Sequence, residues 1–313
     1  MTSYIIRRLL YCVPILFGVM LITFVLFFIV QPPRARARAI LGEKATPQQI
    51  DDWLHKHEYD KPLPKLFVSQ TWKLVTFNFG LSDKTNRPIA KTFIDGAVPS
   101  LCLTVPAFIA GFFMAVGASL YLVLIRYSAL DRFGVFVCVA LMSIPPMVYM
   151  FIGQSALALH FAYFPAYGFE IRGFSTAKFL LLPVALIVVM HFGYDVRMYR
   201  TIFLEEITQD YVRTAFSKGV SQLRVLFVHV LKNGMISLIT LVVTSLPALI
   251  MGSILVENFF GIPGLGNALV HAIQTGDAAM VNALVYLGAL LYLGSLLLTD
   301  ILYAVADPRI RLS

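Results

Sequence analysis

At 313 residues the chain is long enough for two soluble domains, but 58% hydrophobic and only 13% charged residues exclude a soluble protein. A mean hydropathy of +0.79 marks an integral membrane protein. The net charge of +8 sits in loops and at segment ends, where basic residues orient helices, so it does not imply a nucleic-acid partner. Cys12, Cys102 and Cys138 all lie inside apolar runs, which leaves no water-facing thiol pairs for a disulfide framework or a zinc site.

The N-terminus, MTSYIIRRLLYCVPILF, starts like a signal peptide. Its apolar run is long enough to span and no small-residue cleavage site follows, so it reads as a retained first helix. A bilayer needs about 20 apolar residues per helix. Runs of that kind predict spans at 9–30, 99–125, 133–159, 178–196, 235–256 and 278–306, an all-α membrane protein with six transmembrane helices. The fourth is the shortest, and Lys178 and Arg197 snorkel at its ends. With the N-terminus inside, twelve basic residues, from Arg7 and Arg8 to Arg309 and Arg311, fall in inner segments, against Arg172 and Lys178 in the short outer loops. Both termini and the 197–234 segment are therefore expected in the cytoplasm, with 31–98 and 257–277 outside.

Segment 31–98 is too long for a bare loop and reads as a small lobe of short helices. In TPQQIDDWLHKH, Thr46 suits a cap and Pro47 a first turn; Trp53, Leu54, Leu66, Phe67, Trp72 and Phe79 are the expected core. His55 and His57 would point to different sides of a helix and read as solvated histidines rather than metal ligands. In the third span, Pro145 and Pro146 break the hydrogen-bond ladder, and two readings stand: a packing kink, or a hinge beside a translocation path. Pro106, Pro183 and Pro247 predict further kinks.

Between the fourth and fifth spans lies a polar, amphipathic interval, 205–237. Val212, Phe216, Val220, Leu223, Phe227 and Val230 recur at helical spacing, while Asp210, Arg213, Lys218, Arg224 and Lys232 fall largely off that stripe. Gly219, near its middle, predicts two short helices around a joint. After the fifth span comes ENFFGIPGLG, where glycines and Pro263 predict an irregular turn held to the bundle by Phe259, Phe260, Ile262 and Leu265. Gly264 and Gly266 do not make a phosphate loop, because no strand precedes them and no lysine follows.

Motifs for chemistry are absent: there is no HExxH, GxSxG, GxxxxGK[ST] or CxxC, so no catalytic residue, metal site or ATP hydrolysis is assigned to this chain. Asp195 and Asp277 faintly resemble the two motifs of intramembrane aspartyl proteases, but the predicted topology puts them at opposite faces. An ion-coupled secondary transporter, the rival class, would usually need an ionisable residue near mid-bilayer. The candidates, His191 and Asp300, are placed towards helix ends. Energy for uphill transport would then arrive from a partner.

DYVRTAFSKGVSQLRVLFVHVLKN resembles the cytoplasmic "EAA" loop of bacterial ABC importer permeases, with Gly219 as its glycine and Arg213, Thr214 and Ala215 in place of Glu-Ala-Ala. YIIRRLLYCVPILFGVMLITFVLF, ATPQQIDDWLHKHEYDKPLP, FNFGLSDKTNRPI, VENFFGIPGLGNALVHAI and DILYAVADPRIR are similar to the dipeptide/oligopeptide (peptide/nickel) branch, "B" type. Ser237, Gly234 and the GDAAM stretch depart from its usual pattern. The resemblance implies a type I importer permease fold in a bacterial inner membrane, paired with a second homologous permease. It also implies two ATP-binding cassette subunits that hold ATP and Mg, an extracytoplasmic solute-binding protein, and no cofactor in this chain. The implied ATPase-docking element comprises Asp210, Tyr211, Val212, Arg213, Thr214, Ala215, Phe216, Lys218, Gly219, Val220 and Leu223. Val212, Phe216, Val220 and Leu223 would seat in an apolar groove, with Asp210, Arg213 and Lys218 at its rim. Phe259, Phe260, Pro263, Gly264 and Gly266 would plug or line the outer mouth, or only close a loop at an interface. Peptides are the implied cargo, with nickel complexes, glutathione or oligosaccharides as alternatives.

Overall fold

The computed structural model describes residues 2–42, 44–170 and 174–306; Arg172, Arg309 and Arg311 and the tail 307–313 lie outside them. Among the described residues the regular structure is helical, apart from one isolated bridge between Leu81 and Pro88. Among the described residues five stretches are long and apolar enough to cross a membrane: Leu10–Val30, Ile89–Leu124, Thr176–Ile207, Gln222–Phe260 and Ala278–Ile301. The sixth expected span is a bent pair, α6 (Ala129–Ser143) and α7 (Pro146–Gly153, continued as π-helix Gln154–His160), which meet at 90°.

That angle follows from local chemistry. Proline cannot donate a backbone hydrogen bond and pushes the residue before it out of the helical region; Ile144 is accordingly extended at φ −86°, ψ 124°. The carbonyl of Leu141 is then served from both sides of the break, by the Ile144 N–H at 3.4 Å and the Tyr149 hydroxyl at 2.7 Å. By contrast, α5 (Ile89–Leu124), α8 (Phe174–Ile207) and α11 (Leu231–Met251) continue through Pro106, Pro183 and Pro247, so these prolines do not end their helices.

The bundle is built around α8, which packs chiefly against α5 and also against α6 and α7. Gly193 lets α6 approach closely: a Cβ there would lie 2.5 Å from the Cys138 carbonyl oxygen. At the same end, Arg200 Nη2 donates to both carboxylate oxygens of Asp131, at 2.8 and 2.9 Å. Asp131 also accepts from the Tyr127 N–H while Ser128 caps its own N–H, so one carboxylate fixes the α5–α6 turn and α8 together.

Between α1 (Thr2–Phe24, continued as π-helix Val25–Val30) and α5, the chain folds into the lobe helices α2 (Pro33–Leu41), α3 (Pro47–Lys56) and α4 (Leu63–Val75). Thr46 and Gln49 form a reciprocal capping box, with Pro47 in the first turn of α3. Trp53, Leu54 and Leu66 are buried and Phe67 and Phe79 pack against them, but Trp72 is 68% exposed and leaves the predicted core. Leu66 and Leu74 set the inward face of α4, and position 72 is turned about 120° from the first and about 160° from the second. The lobe leans on α1 through Phe24–Phe67 and Phe28–Tyr59 ring contacts at 5.1 and 5.2 Å.

A buried charge cluster ties this lobe to α14 (Ala278–Ala306). Arg36 is 4% exposed, its guanidinium 4.9 Å from the Phe28 ring centroid and 5.2 Å from that of Tyr59. Arg36 Nη1 lies 3.8 Å from Asp83 Oδ2, and the Tyr59 hydroxyl donates to the same carboxylate at 2.9 and 3.1 Å. Asp277 accepts from the Ser82 hydroxyl, from the Asp83 N–H at 3.1 Å and from the Met280 N–H at 3.0 Å. Asp83 accepts from the Ala279 N–H at 3.2 Å, so two carboxylates cap the first turn of α14. Burial, then the charge of Asp277, push the Asp83 carboxyl above its usual range against the pull of Arg36. Burial likewise lowers Arg36, opposed by Tyr59, Asp83 and Asp277.

Arg36→Ala would leave two adjacent buried carboxylates without a cation, at a cost of about 3–5 kcal/mol. Amide hydrogen exchange across α3 and α4 should rise accordingly. Arg36→Lys should not restore protection, because an ammonium cannot stack flat on both rings.

Candidate functional site

The 205–237 interval is shorter as a loop than its polarity predicts. Helix α8 runs on to Ile207, α9 covers Asp210–Ser217, and α10 (Gln222–Arg224) passes through a π-helical stretch (Val225–Val230) directly into α11. The fifth span therefore starts at Gln222 rather than 235, and a single short helix hangs between two long ones. Its C-terminal end is a Schellman motif: the Val220 N–H donates to the Ala215 carbonyl at 3.2 Å and the Gly219 N–H to that of Phe216 at 2.9 Å. Gly219 supplies φ +78°, and a Cβ there would meet nothing within 4 Å. Its requirement is conformational, not steric.

The apolar stripe divides between two partners. Val212 and Ala215 are buried in this chain's own core with Phe203, Val225 and Leu226, and Val220 packs against the same cluster. Val212 is thus corrected from a docking residue to an anchor that fastens α9 to the bundle. Phe216 and Leu223 face outward, 41% and 55% exposed, flanked by exposed Asp210, Arg213 and Lys218. Thr214, also exposed, bonds back to the Asp210 carbonyl at 2.9 Å. The Tyr211 hydroxyl donates to Glu206 on α8. Burial, then that carboxylate, push the phenol up to about 12, so it remains a donor at neutral pH. Gln222 Nε2 reaches the Leu124 carbonyl at the end of α5, 3.2 Å away. The presented ridge is bolted to α5, α8 and α11 at once.

At the lobe end, the predicted irregular turn is two helices, α12 (Ile254–Phe260) and α13 (Leu265–Thr275), joined at 261–264. Sequence reading missed the residue that organises them. Glu257 is fully buried and its carboxylate accepts from the Ser100 hydroxyl at 2.8 Å, the Ser253 N–H at 3.2 Å and the Asn267 N–H at 3.1 Å. It therefore holds the N-terminal ends of both helices and the side of α5. The surrounding glycines make room for it: a Cβ on Gly252 or Gly264 would fall 1.9 or 2.4 Å from its carboxylate oxygens. A Cβ on Gly266 would fall 2.8 Å from the Ile254 backbone and 3.0 Å from the carboxylate. Phe260 is buried, Phe259 half-buried and Pro263 exposed.

Two cavities flank this latch. One, about 940 Å³, opens among Lys84, Lys91, Asp95, Pro99, Gly264 and Asn267 on the lobe side. The other, about 370 Å³, lies near the middle of α5 between α5, α8 and α11, and reaches Gly252 and Ser253. His191, Tyr194, Asp195 and Tyr199 line it. Since α8 extends to Ile207, Asp195 is well inside a helix rather than at its inner end, and His191 likewise is not terminal. The sequence expectation of no ionisable side chain at mid-span is corrected by this cavity. Asp195 and Asp277 are nonetheless far apart in the fold, one lining the mid-span cavity and the other capping α14.

Residues 107–312 match the model of the family described as binding-protein-dependent transport system inner membrane component, and residues 1–95 match that of its N-terminal region. The chain belongs to this permease family. Its all-helical spans are those of an ABC type I importer permease. Over 99% of both chains, this permease is 28% identical to a Brucella abortus protein whose name assigns it to a peptide transport system. It is 30% identical, again over 99% of both, to the glutathione transport system permease protein of Escherichia coli K12.

Gly264→Ala and Gly252→Ala should each displace the Glu257 carboxylate and strand its donors, costing about 3 kcal/mol. Gly117, whose Cβ position is open, is the control: Gly117→Ala should be neutral or stabilising by roughly 0.5–1 kcal/mol. Thermal unfolding of the purified permease in detergent reads the difference.

Proposed function

We propose that this chain is one of two permease subunits of an ATP-driven importer of short peptides. They arrive on an extracytoplasmic solute-binding protein, and two ATP-binding cassette subunits drive transport from the opposite side. The observation that carries this reading is the exposed Phe216–Leu223 ridge, fastened by buried Val212, Ala215 and Val225 to the ends of α5, α8 and α11. An apolar ridge held this rigidly suits an apolar groove on an ATPase, with Arg213 and Lys218 at the rim. Because α9 is bonded to α8 and merges through α10 into α11, displacement of the ridge moves two spans bordering the mid-span cavity. The orientation that fits places the ridge and both termini in the cytoplasm and the lobe outside.

The outer mouth is read as the Glu257 latch rather than as a plug of phenylalanines. The latch lies between the two cavities, and parting Ser100 from Leu265 and Glu257 would join them. The 90° turn at Pro145 and Pro146 is read as a fixed corner, its freed carbonyl already occupied. Peptide cargo is favoured by the name of the Brucella relative; glutathione, itself a tripeptide, is the second reading, favoured by the Escherichia coli relative.

Phe216→Asp and Leu223→Asp should insert and fold normally yet lose ATPase co-purification and uptake by tenfold or more, whereas Val212→Asp should fail to fold. Gly219→Asn, which tolerates a positive φ, should keep uptake within about threefold, and Gly219→Val should not. Normal uptake by Phe216→Asp with ATPase retained would overturn the docking assignment.

A further inference from the structure

The cavity between α5, α8 and α11 holds a carboxylate with no ion-pair contact among the described residues. Asp195 is half-buried in its wall, and no Lys or Arg lines the cavity. Helix α5 contributes Thr104, Phe108, Gly111 and Phe112, and α11 contributes Leu241 and Ser245, none of them charged. On α8 itself the neighbouring cations point elsewhere. Arg200 is bound to Asp131, and Arg197 is two residues on, about 200° round the helix. Among the described residues, His191, one turn before Asp195, is the other group in the wall that can carry positive charge; its electrostatic influence reaches Asp195, but no ion-pair contact joins them. No described side chain forms an ion pair with Asp195.

A carboxylate facing a cavity inside a membrane is costly, and an asparagine would fill the same space without that cost. The charge makes physical sense if its partner comes and goes. Around it stand aromatic walls, Phe108, Phe112, Tyr194 and Tyr199, whose ring faces attract an ammonium group and whose bulk accepts apolar side chains. The Thr104 and Ser245 hydroxyls donate to backbone carbonyls, and Asp195 is the anionic acceptor in this part of the wall.

We propose that Asp195 is the counter-ion for the cationic amino end of the transported solute, so that the cavity selects cargo bearing a free ammonium group. This rests on the importer reading above, and it applies equally to a linear peptide and to glutathione, both of which carry one. It does not apply to an uncharged sugar.

The test uses the whole transporter, with its second permease, ATPases and binding protein, in proteoliposomes, and trialanine as the probe. Asp195→Asn should lower the uptake rate at saturating loaded binding protein by tenfold or more, with subunit assembly intact. Asp195→Glu should stay within about threefold of wild type. The second measurement is alkylation of the thiol introduced by Ser245→Cys, a wall position that leaves Asp195 in place, in a Cys12, Cys102 and Cys138-free background held with a non-hydrolysable ATP analogue. Trialanine-loaded binding protein should slow that alkylation at least threefold relative to the unloaded protein. Uptake by Asp195→Asn equal to wild type would overturn the proposal. So would lost uptake with no protection of the thiol, the pattern expected if a basic residue of the second permease is the true counter-ion. If wild type imports no trialanine, the peptide reading fails by itself, and the same two measurements with S-methylglutathione decide the role of Asp195.

Discussion

A helix that stops inside a membrane leaves backbone N–H and C=O groups that no bulk water can serve, and the spans of this chain are shaped by how it meets that constraint. The largest interruption, from Gly252 to Gly264, exposes the starts of two helices, and Glu257 serves both. A carboxylate suits this position because two helix N-termini present partial positive charge, and one anion offers enough lone pairs for several donors. The same rule governs the Pro145 corner, where the Tyr149 hydroxyl reaches back to the Leu141 carbonyl. Outside the spans, Asp83 and Asp277 do for α14 what Glu257 does for α12 and α13, with Arg36 holding their combined charge in check.

The glycines of ENFFGIPGLG take on a different meaning once the carboxylate is seen. Gly264 and Gly266 are required whether or not the element moves, since side chains there would collide with Glu257 or the Ile254 backbone. A transport defect on substituting them would therefore say nothing about gating. The Ser100 hydroxyl, which joins α5 to this element, shares that packing, since a Cβ on Gly252 or Gly264 would fall 2.6 or 2.5 Å from its oxygen.

Much of this was legible in the sequence and some of it was not, for identifiable reasons. The α3 capping box follows from Thr46, Pro47 and Gln49 alone, because caps are local chemistry. The ends of α8 and α11 were misplaced, because hydropathy falls at Arg197 and Lys232 while backbone hydrogen bonding runs straight through them. An amphipathic stripe reveals that one face of α9 is apolar, but not that Val212 turns to this chain's own core while Phe216 turns away. Spacing of 212 and 216 by one turn puts them on adjacent rather than identical lines of the helix, and only packing separates them. Glu257 was hidden for a subtler reason. A single acid at the end of an apolar run resembles a surface cap, and the signal was its company: glycines at 252, 264 and 266 on both sides of it.

The latch and the mid-span cavity share a wall, and this constrains how the chain can work. Gly252 and Ser253 line the cavity, while the Ser253 N–H is bonded to Glu257. Hydrogen bonds to a buried carboxylate are strong together and costly to lose singly, because each abandoned donor or lone pair stays unsolvated. Partial opening is therefore the least favourable arrangement: the latch is stable fully closed, or open with its polar groups reached by water or cargo. At the other end of the same helices, Val212, Val225 and Gln222 fix the ridge to α8, α11 and α5 with no comparable weak point. On the proposed docking, a push on that ridge would travel along α8 and α11 past Asp195 to the polar joint around Glu257. On that reading, alternation between two states would follow from where the chain is rigid and where its polar groups are concentrated.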